Sequence, residues 1–135
     1  MAFLATITAL ILAGLSALHF YWAFGGRYGW DKAVPYKDAE PLFTPGKAAT
    51  LLVAVALLLF SGLALLLRWP AAELGAWPRY LGWLLAGIFL LRAVGDFKYC
   101  GFFKRLRGTE FAVRDSFFYS PLCLFLSTSF ALLAY

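Results

Sequence analysis

Arg92 and Asp96 stand four residues apart in the segment LLRAVGDFKYCGFF, where a long apolar run ends. On a continuous helix that spacing puts both side chains on one face, and Tyr99 joins the same stripe a turn later. Opposite charges in so apolar a setting can neutralise each other. They can also hold a ligand, the guanidinium taking an anion or a carbonyl and the carboxylate orienting it. His19, the one histidine of the chain, is the natural proton-handling group, because an imidazole changes charge near neutral pH. Trp22 lies within a turn of it, and Asp115 and Tyr119 repeat the four-residue spacing downstream. Each also has a plain structural use: His19 as a satisfied interfacial imidazole, Asp115 as a helix cap, Trp22 and Tyr119 as belt aromatics. The candidate polar cluster is therefore His19, Trp22, Arg92, Asp96, Tyr99, Asp115 and Tyr119. The two cysteines, Cys100 and Cys123, make neither a disulfide framework nor a CxxC pair, and with a single histidine no metal site and no cofactor are expected. No Gly-rich phosphate loop, HExxH or GxSxG is present.

The elements that must position these residues follow from composition. The 135 residues are 63% hydrophobic and 14% charged, against about 45–50% and 25% in soluble domains. This places the chain among membrane proteins, as an all-α, four-helix transmembrane bundle with short loops. The expected helices of this single domain, residues 1–135, cover about 2–24, 45–67, 78–99 and 116–135. Met1 to Gly26 carries no charged side chain and is long enough for a span of roughly 20 residues. It lacks the basic start of a signal peptide, so it reads as a retained span. Thr44 and Pro45 read as the start of the second helix, and Pro121 as a kink in the fourth.

Nine of the twelve basic residues fall in the first and third connections: Arg27, Lys32, Lys37 and Lys47, then Lys98, Lys104, Arg105, Arg107 and Arg114. The middle connection has Arg68 and Arg79. Cytoplasmic loops collect Lys and Arg, so both basic connections are expected inside, with N- and C-termini outside, in a multi-pass protein of the cell inner membrane. The same argument reads the net charge of +5 as topological, and no nucleic acid is expected. Ala5, Ala9, Ala13 and Ala17 in the first span, and Gly82 and Ala86 in the third, would let helices approach closely.

The segments LHFYWAFGG with WDKAVP, LRAVGDFKYCGFFKR, and GTEFAVRDSFFYSPLC together resemble a family of small bacterial four-helix membrane proteins catalogued only as a domain of unknown function. The resemblance spans His19 to Cys123. It implies that the His-x-Tyr-Trp, Arg-x-x-x-Asp and Asp-x-x-x-Tyr-Ser-Pro elements belong together, and it implies no activity.

Three functions from different classes fit these residues. One is a polar small-molecule site at the cytoplasmic mouth of the bundle, for binding or catalysis, taking a small amphipathic ligand from the lipid bilayer. Another is an accessory or structural subunit of a larger complex, with a membrane-protein partner. The third is a small proton-linked transporter working as a homo-oligomer, its buried charges the coupling groups.

Overall fold

The computed structural model describes residues 1–38 and 40–135. Four long helices dominate it. Helix α1 runs Ala2–Ala23, and α2 is one turn, Trp30–Ala33. Strands β1 (Tyr36–Lys37) and β2 (Glu40–Pro41) pair antiparallel in a two-residue ribbon. Helix α3 spans Lys47–Leu66, α4 is the turn Ala71–Leu74, and α5 spans Trp77–Val94. Helix α6 (Glu110–Arg114), a π-helical turn (Asp115–Tyr119) and α7 (Ser120–Ala134) follow one another as one continuous helix.

Three of these are long and apolar enough to cross a membrane: α1, α3 and the continuous helix Glu110–Ala134. Helix α5 is not among them, because 18 residues that include Arg79 and Arg92 dilute its hydropathy.

The long helices form two antiparallel hairpins, α1 with α3 and α5 with α7. Serine hydroxyls fix the register in each. Ser16 Oγ donates to Ala54 O at 2.7 Å and Ser61 Oγ to Ala9 O at 2.8 Å. Ser127 Oγ donates to Ala86 O at 2.8 Å. Small residues make this proximity possible: Ala5, Ala9 and Ala54 are buried at the first seam, and Gly82 lies against Ala134 and Leu67. Between apolar helices such contacts replace the hydrophobic drive that water would supply. Ser127→Ala should cost about 0.6 kcal/mol, the usual size of an interhelical hydrogen bond between membrane helices. Unfolding in mixed micelles measures it.

The hairpins meet in a core of Leu12, Leu57, Leu85, Leu126 and Phe130. Phe89 stacks on Phe130 at 6.0 Å and meets Phe60 edge-on at 6.4 Å, tying α3, α5 and α7 together.

Helix ends differ from the sequence expectation where backbone chemistry intervenes. Helix α5 stops at Val94 instead of running to Tyr99, because Gly95 takes φ 86, ψ −171, a conformation open essentially to glycine alone. Helix α3 begins after Gly46, with Thr44 and Pro45 outside it. The last helix begins at Glu110, six residues before the expected start, with Thr109 Oγ1 accepting from Ala112 N at 3.1 Å. A π turn precedes Pro121: the proline has no N–H to give, and Ser120 N reaches five residues back to Asp115 O.

Antiparallel pairing brings both basic connections, 24–46 and 95–109, to one end of the bundle. Tyr119 Oη, in the π turn, donates to Lys32 O of the first connection at 2.9 Å. Exposed Trp69, Trp77 and Tyr80 ring the opposite end.

Candidate functional site at the basic end

The two basic connections carry two separate polar groupings. In the first, Asp115 is fully buried and faces two cations. Its Oδ1 accepts from Arg92 Nη2 at 3.1 Å; its Oδ2 accepts from Lys104 Nζ at 3.0 Å and from Gly101 N at 2.7 Å. The π turn puts Asp115 there, on the side facing α5 and its following loop. Lys104 spends its other donors on Gly101 O, at 3.0 Å, and Ser116 Oγ, at 2.6 Å. The Lys104 side chain is 1% exposed and that of Arg92 37%. The ionic core thus sits at Lys104 and Asp115, and Arg92 reaches it from the rim. Arg92 Nη1 and Ser120 Oγ are shielded and make no hydrogen bond among the described residues.

Arg92 therefore pairs with Asp115 and not with Asp96. Past the end of α5, Asp96 no longer shares a helical stripe with Arg92 or Tyr99. Its Oδ1 accepts from the amides of Lys98, Tyr99 and Cys100 at 3.0, 2.8 and 3.0 Å. Slight burial pushes its pKa up, but these donors outweigh it and hold the carboxyl below the ordinary carboxylate value. A lowered pKa stabilises the folded loop above the ordinary value, and that stability is lost as pH falls through the lowered one. The amides of residues 98–100 should keep their hydrogen-exchange protection down to about pH 4 and lose it below; an Asp96→Asn chain should show no such step.

Cys100, in the same loop, has its thiol pKa pushed up by burial against the pull of Arg92, so it stays a thiol and is a poor nucleophile.

The second grouping is aromatic. His19 meets Trp22 edge-on at 5.1 Å, and Trp22 meets Trp30 of α2 at 5.7 Å. Trp22 Nε1 donates to Tyr28 O at 2.9 Å, folding the connection back over the end of α1. His19 Nδ1 lies 2.7 Å from Leu15 O. A carbonyl only accepts, so Nδ1 carries the proton and Nε2 is left as an acceptor in the neutral ring.

Two cavities share these walls. One, of about 240 Å³, is lined by His19, Trp22, Trp30, Val34, Phe43 and Val53 among others. Its neighbour, of about 410 Å³, is lined by Trp22, Trp30, Arg27, Asp31, Lys47 and the Gly25–Gly26 turn among others. Trp22, Trp30, Pro45 and Thr50 belong to both.

Of the seven candidates, then, Arg92 and Asp115 meet directly and His19 and Trp22 meet each other. Tyr119 bonds to α2 and packs on Phe111 at 5.9 Å, while Tyr99 lies under Lys98 Nζ at 5.0 Å. Among the described residues no hydrogen bond or ion pair links the His19–Trp22 pair to Arg92 or Asp96. Lys104 and Trp30 were not foreseen. The lysine looked like one more topological charge, and the one clue was its place directly after GFF.

A family model described as "Protein of unknown function (DUF3995)" matches residues 12–130, and the chain belongs to that family. No curated protein and no solved structure matches.

Proposed function

We propose that this DUF3995 chain is a four-span membrane protein that binds a small amphiphilic anion in the paired cavities beside His19, Trp22 and Trp30. Helix α5 is the fourth span: 18 residues reach about 27 Å, and it lies antiparallel along α7 with Arg79 and Arg92 near its two ends, where charge costs least. The nine basic residues then face the cytoplasm and both termini face outward, in a cell inner membrane.

The observation that carries the binding reading is the polarity gradient across two cavities with common walls. Arg27 and Lys47 line the outer one, and neither is in an ion pair among the described residues. Trp, Val and Phe side chains line the inner one, with His19 on its wall. An acidic head suits the first and an apolar body the second, with His19 Nε2 placed to accept a proton or hydrogen bond. The buried Asp115 cluster supports this site from outside it, by holding the loop and, through Tyr119, the turn that carries Trp30.

The test is bromodecanoate quenching of tryptophan fluorescence in the full chain in nanodiscs. Quenching should saturate, weaken about tenfold in Lys47→Gln through loss of one charge-assisted contact, and vanish in Val53→Phe, which fills the inner cavity. Quenching that rises without limit and ignores both substitutions would reject the site.

A further inference from the structure

The loop after α5 is irregular, yet it is fixed almost residue by residue. Asp96 gathers three amides, Phe102 N donates to Ala93 O at 2.9 Å, Leu106 N donates to Lys98 O at 3.0 Å, and Asp115 holds Gly101 N and Lys104 from behind. Phe97 even takes a left-handed φ of 62°, which a bulky residue adopts only under constraint. The outward face of this loop, with Lys37 of β1, forms a cavity of about 440 Å³. Lys37, Lys98 and Arg105 line it, along with Asp96 and Tyr99.

Three cations from two separate connections therefore face one cavity, against one carboxylate whose Oδ1 is already engaged by backbone. None of the three is in an ion pair among the described residues; Lys98 Nζ instead lies over the Tyr99 ring, 5.0 Å from its centre. The Leu106–Lys98 hydrogen bond sets the spacing between the Lys98 and Arg105 backbones before any ligand arrives. Lys104, by contrast, is turned inward to Asp115. Arg107 Nε donates to Lys104 O at 3.3 Å, so the loop divides its four basic residues, two to build it and two to face outward.

We propose that this cavity is a binding site for a phosphate group. A phosphate offers several acceptor oxygens to a guanidinium and two ammonium groups at once, and a loop already ordered by its own hydrogen bonds loses little entropy on binding. The site is distinct from the His19 cavities and shares no lining residue with them. It begins two residues beyond Val94, the last residue of α5. In the four-span arrangement that is the level of the inner-leaflet headgroups, so the phosphate belongs either to an anionic lipid or to a soluble phosphate compound.

Two measurements on the full chain in dodecylmaltoside decide. Native mass spectrometry compares retention of phosphatidylglycerol with phosphatidylcholine, and thermal melting is followed with inorganic pyrophosphate against chloride at equal ionic strength. Lipid as the source predicts selective retention of phosphatidylglycerol; a soluble source predicts a melting shift specific to pyrophosphate. In either case Lys98→Gln with Arg105→Gln should weaken binding about 25-fold, roughly fivefold per cation removed. Lys37→Gln should weaken it about fivefold, and Arg79→Gln at the other end should leave it unchanged. Equal retention of both lipids with no pyrophosphate shift overturns the proposal. So does binding that the double substitution leaves intact in a chain that melts normally.

Discussion

Asp115→Asn should lower the stability of the chain by about 3–5 kcal/mol, the cost of stranding a buried charge by removing its partner. Asparagine fills the same space, so the loss is electrostatic. Lys104 Nζ would remain enclosed by Gly101 O and Ser116 Oγ with no counter-charge, its side chain only 1% exposed. Arg92, with 37% of its side chain exposed, is less enclosed than Lys104 and contributes the smaller part. Unfolding in mixed micelles reads the total, and hydrogen exchange should show residues 95–109 losing protection first. Adding Lys104→Met should restore much of the loss, since an apolar side chain of similar volume needs no counter-charge. A single-substitution cost under about 1 kcal/mol, the range of an exposed pair, would mean that Asp115 and Lys104 are not buried together.

That cluster also marks the boundary between what the sequence displayed and what it hid. The apolar runs displayed α1 and α3 closely, because helical propensity and bilayer length constrain long apolar segments strongly. Helix packing was also partly visible, in Ala5 and Ala9 of α1 and Gly82 and Ala86 of α5, all buried where helices meet, although Ala13 of the same ridge is only half-buried and Ala17 is exposed. The polar side chains were identified, but their partners were not. Arg92 sits four residues from Asp96 and 23 from Asp115, and spacing favours the nearer carboxylate only if the helix continues. Gly95 decides otherwise. By ending α5 it sends Asp96 to cap the loop and opens Arg92 to the π turn. That turn precedes Pro121, which has no N–H to continue an α-helical ladder. Both signals were single residues, and neither names the partner it creates. Lys104 was obscured for another reason: a buried lysine and a topological lysine look alike until the carboxylate that neutralises one of them is placed.

Gly101→Ala should be nearly as damaging, although it removes no charge. Gly101 has φ 86°, and a Cβ there would strike Val94 O and the Gly95 backbone, where the chain crosses over its own helix end. Gly95 has the reciprocal problem, its Cβ meeting the Cys100 carbonyl and Gly101 Cα. Neither clash falls on a flexible side chain, so the loop must open. Opening withdraws the Gly101 amide from Asp115 Oδ2, now 2.7 Å away, and loosens Lys104, which bonds to Gly101 O. Backbone strain of about 1–3 kcal/mol and loss of a buried hydrogen bond to a charged group, about 1.5–3 kcal/mol, together predict a cost of about 2.5–6 kcal/mol. The double substitution with Asp115→Asn should cost clearly less than the two single costs added, because both break the same loop-to-helix attachment. Cys100, held back by burial, should then label faster with maleimide in either variant. Additive costs with unchanged labelling would show that the loop and the carboxylate are stabilised independently.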